Sequence, residues 1–186
     1  MKIPFVALCL LTACAAPALA LEVNEPSRML YNVDPSAQCS QVAADLTNLQ
    51  QGLSYCNEAL SDPLMTHRAA LLVDRGIIKF GMQQTGDALA DFDAAIAMEP
   101  RLGNAYVNRA AAQLALGRGR SALSDADMAI KLGGDSLHVA YFTRAAAEED
   151  AGQTEAAYRD YKQALALKPD YAAAQAQLTR FKVVRQ

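Results

Sequence analysis

The densest group of residues suited to acid–base or metal chemistry in this chain is Glu148–Glu149–Asp150. Consecutive residues on a helix point about 100° apart, so three in a row cannot converge on one substrate atom or ion. A solvated helix face is the expected role. The two histidines, His67 and His138, stand far apart and no Cys-x-x-Cys pair joins either, so no metal site is expected. A Gly-x-Ser-x-Gly elbow, a His-Glu-x-x-His helix, a phosphate loop and a Gly-x-Gly-x-x-Gly turn are all missing from the sequence. Neither catalysis nor a cofactor is expected. A different pattern does recur: Arg75, Arg109 and Arg144 are each followed sixteen residues later by an aspartate, Asp91, Asp125 and Asp160. A forked guanidinium and a carboxylate on neighbouring helices form a bidentate bridge, so these pairs are expected to be structural. Cys39 and Cys56 are the two cysteines beyond residue 20, and an even pair in an oxidising compartment predicts a disulfide.

The elements that must position these pairs repeat with a period of 34 or 35 residues. Leu72–Arg75–Gly76 aligns with Tyr106–Arg109–Ala110 and Tyr141–Arg144–Ala145. Ala88–Asp91–Phe92–Ala95 aligns with Ala122–Asp125–Ala126–Ala129 and Ala157–Asp160–Tyr161–Ala164. Pro100, Gly133 and Pro169 close the units. This period predicts stacked helical hairpins. Helices are expected over about 64–82 and 86–98, 104–116 and 120–132, and 137–151 and 155–167, with Thr85, Ser136 and Thr154 as N-caps. Asp34–Pro35 and Asp62–Pro63 each read as an N-cap followed by proline at the first helical position. Between them two shorter helices, about 35–49 and 52–61, break near Gln51–Gly52 and form a degenerate unit. A last helix opens at Asp170, with Tyr171, Ala174, Leu178 and Phe181 on one face to cover the end of the stack.

These offsets resemble the tetratricopeptide repeat family, well over 67–171 and weakly over 33–66. Large residues stand at position four (Leu72, Tyr106, Tyr141) and small ones at eight (Gly76, Ala110, Ala145). Alanines fill positions twenty and twenty-seven, with Phe92 and Tyr161 at twenty-four, where Ala126 departs from the pattern. On the same alignment Cys39 and Cys56 fall at seven and twenty-four, facing each other across the degenerate hairpin. The resemblance implies an all-α fold: a right-handed superhelical solenoid of antiparallel hairpins with three regular repeats, one degenerate N-terminal hairpin and a C-terminal capping helix. It also implies a concave groove lined by the first helices. Val73, Ile77, Phe80, Val107, Leu114 and Phe142 would form an apolar stripe there, with Asn104 and Asn108 at its edge. The expected occupant is an amphipathic helix or apolar segment of a protein partner; self-association, or cover by the chain's own N-terminal segment, are the alternatives. The carboxylate clamp of chaperone-docking relatives is not expected, because Ala70, Asp74, Val139 and Thr143 hold most of its positions.

The remaining composition bears on location. The 186 residues are 52% hydrophobic, which excludes disorder, and net charge is −3. A mildly acidic body argues against nucleic acid. Arg180, Lys182 and Arg185 cluster at the end, where helix dipoles favour cations. Residues 1–20 read as a signal peptide, from Lys2 through apolar Phe5–Leu11 to the Ala18–Leu19–Ala20 cleavage site. Leu11–Thr12–Ala13–Cys14 resembles a lipobox, so lipid anchoring at Cys14 to the outer membrane is the alternative to soluble periplasmic export. No stretch is apolar for long enough to span a bilayer. The expected organisation is a signal peptide (1–20), a lead-in (21–33), a degenerate hairpin (34–66), three repeats (67–170) and a capping helix with tail (171–186). The expected function is that of an exported non-catalytic adaptor or scaffold. A lipid-anchored assembly factor and an accessory subunit of an envelope enzyme are the alternatives.

Overall fold

The computed structural model describes residues 34–181; the leader, Cys14, the lead-in, Lys182 and Arg185 lie outside the described residues. Nine helices run in order among them: α1 (Pro35–Asp45), α2 (Leu49–Ser61), α3 (Arg68–Gly81), α4 (Thr85–Met98), α5 (Gly103–Ala115), α6 (Gly119–Leu132), α7 (Leu137–Asp150), α8 (Thr154–Leu167) and α9 (Ala172–Leu178). Consecutive helices pair as hairpins, and each hairpin packs on the next. The first helices also touch one another, α1 with α3, α3 with α5 and α5 with α7, while the second helices make no comparable contact. The first helices therefore form the tighter, inner layer of a curved stack.

Local chemistry explains where most helices start and stop. Asp34 caps α1 by accepting from the Ser36 N–H at 2.9 Å, with Pro35 opening the helix. The second Asp–Pro pair behaves differently from expectation. Asp62 ends α2 and accepts from the Leu64 N–H at 2.8 Å, making a turn, and α3 begins only at Arg68. The Arg68 guanidinium then bonds the Leu60 and Asp62 carbonyls, satisfying the end of α2. Thr85 and Thr154 lie inside their helices rather than capping them, while Ser136 holds the cap position with no side-chain bond.

The break in the N-terminal hairpin falls at Leu46–Asn48, not at Gln51–Gly52. Leu46 and Asn48 both take left-handed backbone angles, and Asp45 ties the turn by accepting from Thr47. Gly52 sits inside α2 because a β-carbon there would stand 2.3 Å from Val42 Cγ1. Its bareness lets α1 and α2 close.

The core is a row of small clusters, one per junction, rather than one large mass. Cys39, Val42, Cys56, Leu60, Leu71 and Ile78 join α1, α2 and α3. Phe92 and Val73 anchor the next cluster, and alanines dominate those that follow. At the far end Tyr171, Leu178 and Phe181 cover Phe142 and Tyr161, with ring centroids 5.3–5.8 Å apart. The helix in this cap starts at Ala172 rather than Asp170. No described helix is long and apolar enough to cross a membrane.

Candidate partner-binding face

Each of the three regular hairpins is locked by its arginine. Arg75 donates through Nε and Nη2 to both oxygens of Asp91 at 2.9 and 2.7 Å; Arg109 and Arg144 grip Asp125 and Asp160 in the same two-pronged way. The three aspartates are buried, at 5–8% exposure, so the charges are sequestered and matched. Hydrogen bonds donated to Asp125 and Asp160 hold the Arg109 and Arg144 guanidinium groups still more firmly protonated than usual. Arg109 and Arg144 also lie over the rings of Tyr106 and Tyr141.

The sequence reading missed the third arm of this arrangement. The remaining nitrogen, Nη1, reaches back to the second helix of the preceding hairpin: Arg75 to Asn57, Arg109 to Asp93, Arg144 to Asp127, at 2.7–3.0 Å. Asp93 and Asp127 each stand two residues beyond the paired aspartate, and that offset was the signal available in the sequence. One turn beyond each arginine the chemistry varies. Lys79 adds an ion pair to Asp91 at 2.7 Å, whereas the corresponding Gln113 and Glu148 each keep one buried oxygen without a partner. Burial, and then the charge of Asp160, push the Glu148 carboxyl above its ordinary range.

The degenerate hairpin replaces the ion pair with a covalent bond. Cys39 stands at the arginine offset and Cys56 one residue past the aspartate offset; they are joined, fully buried, with Cα atoms 4.8 Å apart. Closing a loop of 17 residues contributes about 3 kcal/mol in the chain-entropy model. Replacing both cysteines with serine should raise hydrogen exchange throughout α1 and α2 and leave α7 and α8 unchanged. Uniform exchange before and after the replacement would contradict a local staple.

Of the six apolar residues expected to line the groove, Val73 and Val107 are buried in the core, only 5% and 4% exposed, in the clusters between successive hairpins. Ile77, Phe80, Leu114 and Phe142 pack partly exposed against the core clusters, and Phe142 lies beneath Tyr171. The inner layer instead exposes small and polar residues: Ala70, Gly81, Asn104 and Ala115 are exposed, and Asp74, Asn108, Ala111 and Ala146 half-buried. Asn108 bonds the Asn104 carbonyl at 2.8 Å and so stays upright on α5. Glu149 does not stand free on a solvated face, since it pairs with Arg180 at 2.7 Å and accepts from the Tyr161 hydroxyl. No cluster of metal-ligating side chains occurs among the described residues.

Solved structures with this arrangement are tetratricopeptide domains. The first such domain of Spaghetti (RPAP3), bound to an HSP90 peptide, is 27% identical with a TM-score of 0.57, over 61% of this chain and 90% of that one. The Arabidopsis OM64 domain is 26% identical with a TM-score of 0.57, over 60% and 92%. The fold is that of a tetratricopeptide-repeat array. PilW, a type IV pilus biogenesis factor, shares this fold over 77% of the chain and 66% of its own, at 19% identity and a TM-score of 0.65. No family model and no curated protein matches the sequence. Among the described residues the array is all-helical, with no strand.

Proposed function

We propose that this chain is an exported, non-catalytic adaptor that holds a protein or peptide partner on the inner face of α3, α5 and α7. The observation that carries this reading is the row of small and polar residues left uncovered on a layer whose apolar stripe is buried or half-buried against the core clusters. Small side chains let an extended backbone approach closely, and amides such as Asn104 and Asn108 can bond its peptide groups. Such a surface suits an extended segment better than the apolar face of an amphipathic helix. The RPAP3 domain with its HSP90 peptide supports peptide capture by this fold. Support for export comes from the fully buried Cys39–Cys56 bond, which persists in oxidising compartments, and from the leader-like residues 1–20.

Affinity capture from an envelope extract tests the reading. Asn104→Arg places a long cation on the exposed inner face, and Met128→Asp changes the outer face on α6. The expected result is loss of the captured protein with Asn104→Arg and its retention with Met128→Asp. The opposite pattern would move the binding surface to the outer helices.

A further inference from the structure

Asp74 is the exception among the aspartates that the repeats withdraw from water. Asp91, Asp125 and Asp160 are each held by an arginine, whereas no described lysine, arginine or histidine lies within ion-pair distance of Asp74. Its described hydrogen bond comes from the Ser40 hydroxyl at 2.6 Å, across from α1. The carboxylate lies at the wall of a cavity of about 270 Å³ between α1 and α3, lined also by Ser36, Ser40, Met65, His67, Ala70 and Leu71. Burial pushes its acid strength down, against the opposing effect of the Ser40 hydrogen bond. Ala70 and Asp74 occupy two positions where chaperone-docking relatives would need cationic or amide groups, so the charge at this end of the inner face is inverted.

From this geometry we infer that the cavity receives the cationic side chain of the peptide partner, a lysine or arginine whose charged head meets Asp74. Met65, Ala70 and Leu71 give the aliphatic stem an apolar wall, and the Ser40 hydroxyl holds the carboxylate in place. The cavity has room for one side chain rather than a large ligand. The peptide held by the RPAP3 domain ends in two glutamates, a valine and an aspartate, and this chain would select against such an acidic end. The inference rests on the adaptor reading and names the partner's chemistry.

Panning a random dodecapeptide phage library on the immobilised full chain tests it. The selected peptides should be enriched in lysine or arginine at one position. A fluorescein-labelled selected peptide should bind Asp74→Asn about tenfold or more weakly by anisotropy, with ellipticity unchanged, since a charge-assisted bond is lost. Ser40→Ala should weaken it less. Selected peptides without basic enrichment, or equal affinity for Asp74→Asn, would overturn the inference and leave the adaptor reading standing. No enrichment of any peptide would overturn both.

Discussion

Arg109→Ala should destabilise the array by about 3 kcal/mol, because it leaves Asp125 buried without its countercharge. The arginine contacts two acids, and their burial separates them. Asp125 has a side chain 9% exposed, whereas Asp93 is 62% exposed and already screened by water. Asp93→Ala should therefore cost less than about 1 kcal/mol. Arg109→Lys should recover only part of the loss, since an ammonium cannot fork onto both oxygens of Asp125. Urea unfolding followed by ellipticity reads all three. Equal costs for Asp93→Ala and Arg109→Ala would show that the link to the preceding hairpin, not the buried pair, carries the stability.

Phe92→Ala should cost about 3–5 kcal/mol, as the ring is fully buried and its removal leaves a cavity. Its neighbour makes the sharper test. A β-carbon on Gly76 would stand 2.4 Å from Phe92 Cε1, so Gly76→Ala alone should cost about 1–3 kcal/mol by overpacking. In the double variant the ring is gone, and the added methyl partly fills the space it leaves. That variant reproduces the alanine pair found in the middle repeat, Ala110 and Ala126, both fully buried. The two costs should be less than additive by about 1 kcal/mol or more. Strict additivity would mean that Gly76 is needed for its backbone rather than for the ring.

The fold was legible because the crossing points of packed helices accept only small residues. Gly76, Ala110 and Ala145 therefore announce the hairpins at fixed offsets, and Phe92 and Tyr161 announce what fills the space beside two of them. The arginine–aspartate pairs were legible for a related reason, since a bridge between two helices needs one spacing throughout. The inner face was read less well. Val73 and Val107 lie on apolar faces of first helices, but the rotation between successive hairpins decides whether such a face lines the groove or packs on its neighbour. A one-dimensional pattern does not contain that rotation. Gly52 misled for the opposite reason: its cost within a helix is small beside the gain from closing Val42 and Ile78 around it. Asp62–Pro63 carries a pattern that suits both a helix start and a turn; here Asp62 closes a turn onto the Leu64 N–H.

Site-specific photo-crosslinking in living cells tests the adaptor account most directly. The probe p-benzoylphenylalanine would be placed at Ala111 on the inner face of α5 and, in a second variant, at Met128 on the outer face of α6. The account predicts a discrete partner adduct from position 111, lost when Asn104→Arg is added, and none from position 128. An adduct from position 128 with none from position 111 would contradict it.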